Sequence, residues 1–224
     1  MPSLQSLVDP LTSAAGQALR GATRVVALRP AAKPLHPRGE LLSAVVRRTG
    51  SGTRSGVAWL DEPGEDRALV RLSRSVGLPH PLPDVLGLAL RVWADGTHGD
   101  VLFSTTGLGR ATRFVLTPAR RPDGRPMTTL LPYRTPVGPV LIAATYVDEN
   151  RLELSWAVGT SQWHTFAEVA LGDPTPADQE RLSFDPVVNR LPGLEIYPWV
   201  RRLREPAYLA ARRSRSSSRS GSGA

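Results

Sequence analysis

Three groups of residues in this chain carry side chains suited to proton transfer or to ligand binding. His36 lies in His36-Pro37-Arg38-Gly39, and an imidazole with a pKa near neutrality can take up and return a proton. Arg71 and Ser73 end an apolar run and share one face if that run is a strand. Arg204 and Tyr208 are four residues apart, so on a helix the guanidinium lies near the phenol and favours its anionic form.

Four separated motifs, in one order along the chain, resemble the core of the heme-dependent catalases. They are His36-Pro37-Arg38-Gly39, Val70-Arg71-Leu72-Ser73, Asp84-x-x-Gly87-x-Ala89-x-Arg91 and Arg204-Glu205-Pro206-Ala207-Tyr208. The resemblance covers approximately residues 30–106 and 180–213. It implies a heme b cofactor and peroxidase-type chemistry on hydrogen peroxide or organic hydroperoxides, which makes the chain an oxidoreductase.

The resemblance also assigns roles to the residues that would hold the heme. Tyr208 is the expected axial ligand of the iron, and Arg204 stabilises its phenolate. Arg71 is expected to bind a heme carboxylate. Phe103 either covers the distal pocket, as a cofactor-binding residue would, or packs inside the barrel. This resemblance therefore predicts that heme binding depends on residues from two distant parts of the chain.

Proton transfer is expected on the opposite side of the heme from Tyr208. His36 would take a proton from the peroxide and return it to the departing oxygen, and Ser73 would bond the second imidazole nitrogen and fix its tautomer. The family has an asparagine after the aspartate of the following strand. Here Asp100-Val101-Leu102-Phe103 leads into Ser104-Thr105-Thr106 instead, and a hydroxyl donates a single hydrogen bond.

Composition and charge narrow the classes of protein that the chain can belong to. The chain has 224 residues, 41% of them hydrophobic, which suits a single packed domain. With no cysteine, it forms neither disulfides nor thiolate metal sites. Of the net charge of +8, +6 falls after residue 200, so we expect no specific nucleic-acid binding. With no apolar stretch long enough to span a membrane and no signal sequence, we expect a cytoplasmic protein.

Hydrophobic periodicity predicts a β-dominated α+β fold, an antiparallel β-barrel with N-terminal and C-terminal helices. An N-terminal helix is expected at residues 1–29, a barrel domain ending in a C-terminal helix (198–213) at 30–213, and a disordered Ser/Arg-rich tail at 214–224. Further elements are a short helix opening at Thr175-Pro176, a turn at Asp148-Glu149-Asn150 and a surface loop at 118–137. The predicted strands are 40–48, 55–60, 67–73, 87–93, 100–105, 112–117, 138–147, 151–158 and 162–170.

Two other functions stay open at the level of sequence. The barrel can lack heme and act as a non-catalytic module that binds an apolar ligand or a protein partner. A phosphoester hydrolase is the weaker alternative, because no nucleophile elbow, phosphate-binding loop or metal-ligand spacing is visible. Homo-oligomer formation is left open.

Overall fold

The computed structural model describes residues 39–75, 77–78, 81–94, 96–175 and 182–202, and β-strands make up about half of this part. The strands are β1 (Gly39–Arg48), β2 (Gly64–Arg74), β3 (Leu86–Ala94), β4 (Thr97–Thr105), β5 (Met127–Thr128), β6 (Tyr133–Thr135), β7 (Gly138–Asp148), β8 (Arg151–Val158), β9 (His164–Pro174) and β10 (Glu195–Ile196). Between them lie a short helix α1 (Ala58–Asp61) and two 3-10 helices, Thr112–Phe114 and Pro122–Gly124.

Eight of the strands form a closed antiparallel β-barrel, which confirms the predicted fold class. Around the barrel the order is β1, β2, β3, β4, β5, β7, β8 and β9, and β9 pairs again with β1. The two-residue strand β5 joins β4 to β7, because Met127 and Thr128 pair on one side with β4 and on the other with β7. The remaining strands, β6 and β10, extend the sheet from β7 outside the barrel.

The interior of the barrel is filled by side chains from alternating positions of its strands. Val46, Leu90, Ile142, Trp156 and Phe166 are each at most 1% exposed and belong to one hydrophobic cluster. An eight-stranded barrel has an interior just wide enough for side chains of this size to fill. The strands therefore act as a rigid scaffold, and a large ligand has to bind on the outside of the barrel or at its ends.

Helix α1 replaces the strand predicted at 55–60, which is wrong. The Asp61 carboxylate accepts hydrogen bonds from the Ser55 amide and hydroxyl and from the Gly56 amide at 2.7–2.8 Å, and these bonds fold the segment back on itself. The indole of Trp59 then packs edge-on against Phe166, with ring centroids 5.1 Å apart. A short apolar run has no periodicity that separates a strand from a buried helical turn.

The strand predicted at 112–117 is also wrong, and the predicted loop at 118–137 contains two short strands. Residues Thr112–Phe114 form a 3-10 helix, and its Arg113 is buried.

The other seven predicted strands are confirmed with shifts of at most four residues at their ends. The turn at Asp148-Glu149-Asn150 is confirmed as well, and there Asp148 accepts hydrogen bonds from the Asn150 amide and from Arg151.

The chain after β9 returns to the barrel and packs along it. Leu191, Leu194, Ile196 and Val200 are at most 7% exposed and join the main hydrophobic cluster. Residues 198–202 are helical, so the predicted helix begins at Pro198, where a proline is well tolerated. The predicted N-terminal helix, the short helix after Thr175 and the Ser/Arg-rich tail lie outside the described residues.

Candidate functional site

The outer face of strands β2, β3 and β4 carries two of the residues that the sequence singled out. Ser73 pairs with Gly87, and Gly87 pairs with Ser104, so these three residues form one row across the strands. Arg71, Ala89 and Leu102 form the next row in the same way. Directly paired residues lie on the same face of a sheet, and so do residues two apart. We call these six residues the outer strip.

The centre of the outer strip is occupied by the two smallest residues in it. Gly87 is buried and has no side chain, and the half-buried Ala89 adds only a methyl group. Around this floor stand the half-buried side chains of Arg71, Ser73, Leu102 and Ser104. The strip is therefore low in the middle, apolar on one side, and bordered by a guanidinium and two hydroxyl groups.

The Ser73 hydroxyl has a defined orientation in this strip. Its Oγ donates a hydrogen bond to the carbonyl oxygen of Gly87 at 3.3 Å. The oxygen lone pairs stay free of that bond, so the hydroxyl can accept an N–H from a group placed above the strip. This is the arrangement that a serine needs in order to orient an imidazole.

Asp84 organises the loop that precedes the strip. Its carboxylate is fully buried and accepts hydrogen bonds from the amides of Gly77 and Leu78 at 2.8 and 3.1 Å. Arg74 Nε lies 3.7 Å from the same carboxylate, and the Asp84 backbone pairs with Ala119. The aspartate of this motif thus shapes the entry into β3.

Phe103 does not share a face with Arg71 and Ser73. It is 2% exposed, pairs with Leu88 and packs in the hydrophobic cluster inside the barrel. Because side chains alternate along β4, Phe103 points away from the outer strip, on which Leu102 and Ser104 lie. The expectation that Phe103 contacts a cofactor together with these residues therefore has no geometric support, and Leu102 is the apolar residue of β4 on that face.

His36, Arg204 and Tyr208, the other predicted site residues, lie outside the described residues. The structure therefore brings together Arg71 and Ser73 and adds Gly87, Ala89, Leu102 and Ser104 to them. The roles expected for the imidazole and the phenol stay predictions.

A buried ion pair in the next row of the same outer face, beside Ala89 and Leu102, holds the segment that follows β9, and sequence reasoning missed it. Arg91 Nε and Nη2 donate to the two oxygens of Asp100 at 2.7 and 2.8 Å. Asp100 also accepts from the Asp185 amide at 2.7 Å and from the Asn189 side chain at 2.8 Å. Arg91 further donates to the carbonyl oxygen of Ser183 at 2.6 Å. The signal that could have found this pair is the position of Arg91 and Asp100 at matching distances from the turn between β3 and β4.

A second buried guanidinium, that of Arg113, holds loops by contacts with carbonyl groups. It donates to the carbonyl oxygens of Leu108, Gly109, Gly159 and Ser161 at 3.0–3.2 Å and lies 4.4 Å from the ring centroid of Trp163. Burial, and then the charge of Arg110, lower the pKa of Arg113. Because an arginine stays charged in proteins, this group acts as a fixed structural cation.

Tyr146 carries a phenol group whose oxygen is buried. No hydrogen-bond partner for this oxygen occurs among the residues that the structure describes. Burial, followed by the charges of Asp123 and Glu40, raises the pKa of Tyr146 to about 12. The group is therefore neutral over the physiological range.

The described residues offer neither a metal site nor a membrane-spanning helix. Among them, no three His, Asp or Glu side chains lie close enough together to hold a metal ion. None of the helices in this part is long and apolar enough to cross a membrane.

Comparison with solved structures finds the same barrel in catalases. A fungal catalase matches with a TM-score of 0.58 and 12% identity, over 87% of this chain and 61% of its own length. Catalase A from Saccharomyces cerevisiae matches with a TM-score of 0.58 and 9% identity, over 85% of this chain and 62% of that one. A bacterial catalase matches with a TM-score of 0.54 and 13% identity, over 87% and 59%.

These similarities define the class of fold, a catalase-like antiparallel β-barrel. The chain spans about three-fifths of the length of the catalases that it matches. Identities of 9–13% carry the fold alone. No protein-family model matches the chain, and no curated protein sequence matches it.

Proposed function

We propose that this chain is a heme-binding, catalase-related protein with peroxidase-type activity on hydrogen peroxide or organic hydroperoxides. The observation that carries the proposal is the outer strip on a catalase-like barrel. In it Arg71 and Ser73 lie on one face beside Gly87 and Ala89, whose small size leaves space above the sheet. A cytoplasmic location and the binding of heme b are parts of the same proposal.

The residues of the outer strip fit a planar apolar group that carries carboxylates. Gly87 and Ala89 leave room for a flat ring, and Leu102 offers an aliphatic contact. The guanidinium of Arg71 is suited to a carboxylate, with which it can form two parallel hydrogen bonds. The strip would contact the heme, and Tyr208 and Arg204 would supply the phenolate that holds the iron and the cation that stabilises it.

In this proposal, the chain's own residues position the peroxide and move its proton. Heme supplies the redox chemistry that cleaves the peroxide bond. His36 would accept a proton from the peroxide oxygen at one imidazole nitrogen and return it to the departing oxygen, which leaves as water from hydrogen peroxide or as an alcohol from an organic hydroperoxide. Ser73, which donates to Gly87, accepts the N–H of the other imidazole nitrogen and so keeps the first nitrogen unprotonated.

Heme titration of the purified chain tests the proposal directly. We expect a Soret band to develop at stoichiometric heme, and Tyr208→Phe to abolish tight binding because it removes the anionic ligand. Tyr197→Phe is the matched control, since it deletes a phenol oxygen from a half-buried tyrosine outside the proposed site. Refusal of heme at micromolar concentration by the folded protein, or equal binding by wild type and Tyr208→Phe, would reject the proposal.

A second experiment separates proton transfer from heme binding. His36→Ala should keep the Soret band and lose about 100-fold or more of the peroxidase rate, the contribution typical of a general acid–base residue. Ser73→Ala should keep heme and lower the rate less, because the imidazole stays but its tautomer is no longer fixed. If both variants keep the wild-type rate, the proton-transfer roles are wrong even where heme binds.

The heme-free alternative is the other outcome of these titrations. Because side chains fill the barrel interior, a ligand or protein partner of such a module would contact the outside or the ends of the barrel.

A further inference from the structure

Four neighbouring strands present one row of side chains on the outer face of the barrel, near the turn between β3 and β4. Each residue is the direct partner of the next in the series Val45, Arg67, Trp93, His98. Directly paired residues lie on the same face of a sheet, and neighbouring strands are about 4.8 Å apart. Val45 is half-buried, and the other three residues are exposed. We call these four residues the exposed row.

The exposed row lies beside a step in the molecular surface. The adjacent row of the same face contains the ion pair of Arg91 and Asp100, and residues 183–189 cover this pair with three hydrogen bonds. Arg91 is 8% exposed, whereas Trp93, two residues further along the same face of β3, is 42% exposed. The cover therefore stops between the two rows, and the exposed row forms an open shelf at its edge.

Trp93 is the most exposed of the five tryptophans of the chain, all of which lie in the described residues. Three of the others donate their indole N–H to an acceptor of the protein, and the fourth, Trp199, stacks on Tyr197. The Trp93 N–H has no acceptor in the part of the chain that the structure describes. Its ring meets only the tilted ring of His98, with centroids 6.3 Å apart, so a flat molecule has access to the indole.

Arg67 is a cation that has no carboxylate directly opposite it. Its partners on the two neighbouring strands are Val45 and Trp93. Glu65, two residues away on the same face, forms an ion pair with Arg47 at 3.0 Å. Among the described residues, none forms an ion pair with Arg67. Its guanidinium can therefore offer two parallel N–H groups to the carboxylate of a bound molecule.

We propose that the exposed row binds a small aromatic carboxylate. The ring of this ligand stacks on the indole of Trp93, and its carboxylate pairs with Arg67 on the neighbouring strand. A carboxylate fits better than a phosphate, because the row has a single guanidinium and Glu65 nearby repels a second negative charge. This site needs neither heme nor any residue of the outer strip, so it goes beyond the proposed function.

Titration of the full chain with 2-naphthoate, followed by NMR of the ligand, tests this site. We expect saturable binding with a Kd below about 1 mM, as for a ligand of this size. Trp93→Leu and Arg67→Gln should each raise the Kd about tenfold, because each removes one of the two contacts. Trp93→Phe should restore part of the affinity, since it returns a flat ring. Naphthalene-2-methanol, which has the same ring without the charge, should bind about tenfold more weakly than 2-naphthoate.

Trp199→Leu and Arg110→Gln are the matched controls, because they remove an exposed indole and an exposed guanidinium outside the row. Both should bind 2-naphthoate with the Kd of the wild type. The proposal is overturned by a wild type that shows no saturable binding, by a Kd within twofold of wild type in either Trp93→Leu or Arg67→Gln, or by an equal change in the controls. Tighter binding of phenyl phosphate than of benzoate overturns the choice of a carboxylate. None of these outcomes bears on heme binding, which the Soret titration tests separately.

Discussion

Removal of the Asp100 carboxylate should be one of the most destabilising single changes in the described part of the chain. The Asp100 side chain is fully buried and that of Arg91 is 10% exposed, and two hydrogen bonds of 2.7–2.8 Å join them. Asp100→Ala leaves this guanidinium buried without its counter-ion. Breaking such a pair typically costs about 3–5 kcal/mol. The loss should be near the upper end, because the Asp185 amide and the Asn189 side chain lose their acceptor as well.

Urea unfolding followed by tryptophan fluorescence measures this change, since the chain has five tryptophans. The expected result is a shift of the midpoint to lower urea without a change in slope. Glu65→Ala is the control, because the Arg47–Glu65 pair is more than 60% exposed and should contribute less than about 1 kcal/mol.

The double variant Arg91→Met/Asp100→Leu distinguishes the unpaired charge from the loss of packing. It removes both charges together, so it should be more stable than Asp100→Ala alone. It still leaves the buried Asp185 amide without an acceptor, which costs about 1–3 kcal/mol. The reasoning fails if Asp100→Ala loses less than about 1 kcal/mol, or if the double variant loses the sum of the two single losses.

Three further changes test other contacts of the structure. Arg113→Ala should lower the free energy of unfolding in urea by about 3 kcal/mol, because buried carbonyls lose their donor. Arg110 is exposed, so Arg110→Ala, measured in the same urea series, should have little effect. Tyr146→Phe should leave stability at pH 7 unchanged or slightly raised, because the phenol oxygen is buried and has no hydrogen-bond partner among the described residues. Since folding raises the pKa of Tyr146 to about 12, the wild type should lose stability from about pH 10 upward while Tyr146→Phe loses less, which unfolding at pH 9 and 11 would show. Gly87→Val should fill the floor of the outer strip and weaken heme binding in a Soret titration, whereas retained affinity would argue against the strip as the heme surface.

The alternating strands of the barrel could be predicted from the sequence because their periodicity is strong. β3 and β8 carry apolar residues on their inner face over most of their length, and turn residues bound them. β5 could not be predicted in this way. It has only two residues, Met127 and Thr128, inside a segment rich in proline and arginine, and it exists because β4 and β7 lie on either side of it.

The candidate site was predictable only in part, for a related reason. Arg71 and Ser73 share a face because they are two residues apart on one strand, and this follows from local spacing. The register between β3 and β4 decides which residues of β4 join them. It places Leu102 beside Arg71 and Ser73 and directs Phe103 into the barrel, and the sequence alone left this register undetermined. The burial of Arg113 could not be predicted from the sequence, because an arginine in an alternating run is usually exposed, whereas hydrogen bonds to four carbonyls hold this one in a buried position.

The way the sheet ends has a consequence for the behaviour of this protein at high concentration. Among the described strands, the barrel is a ring in which each member has a neighbour on both sides, and the sheet terminates at β10. This terminal strand has two residues, and Glu195 in it forms an ion pair with Arg134 of β6. A short, charged edge strand exposes few backbone N–H and C=O groups with which a strand of another molecule could pair. Intermolecular β-sheet growth from this edge of the native sheet is therefore disfavoured.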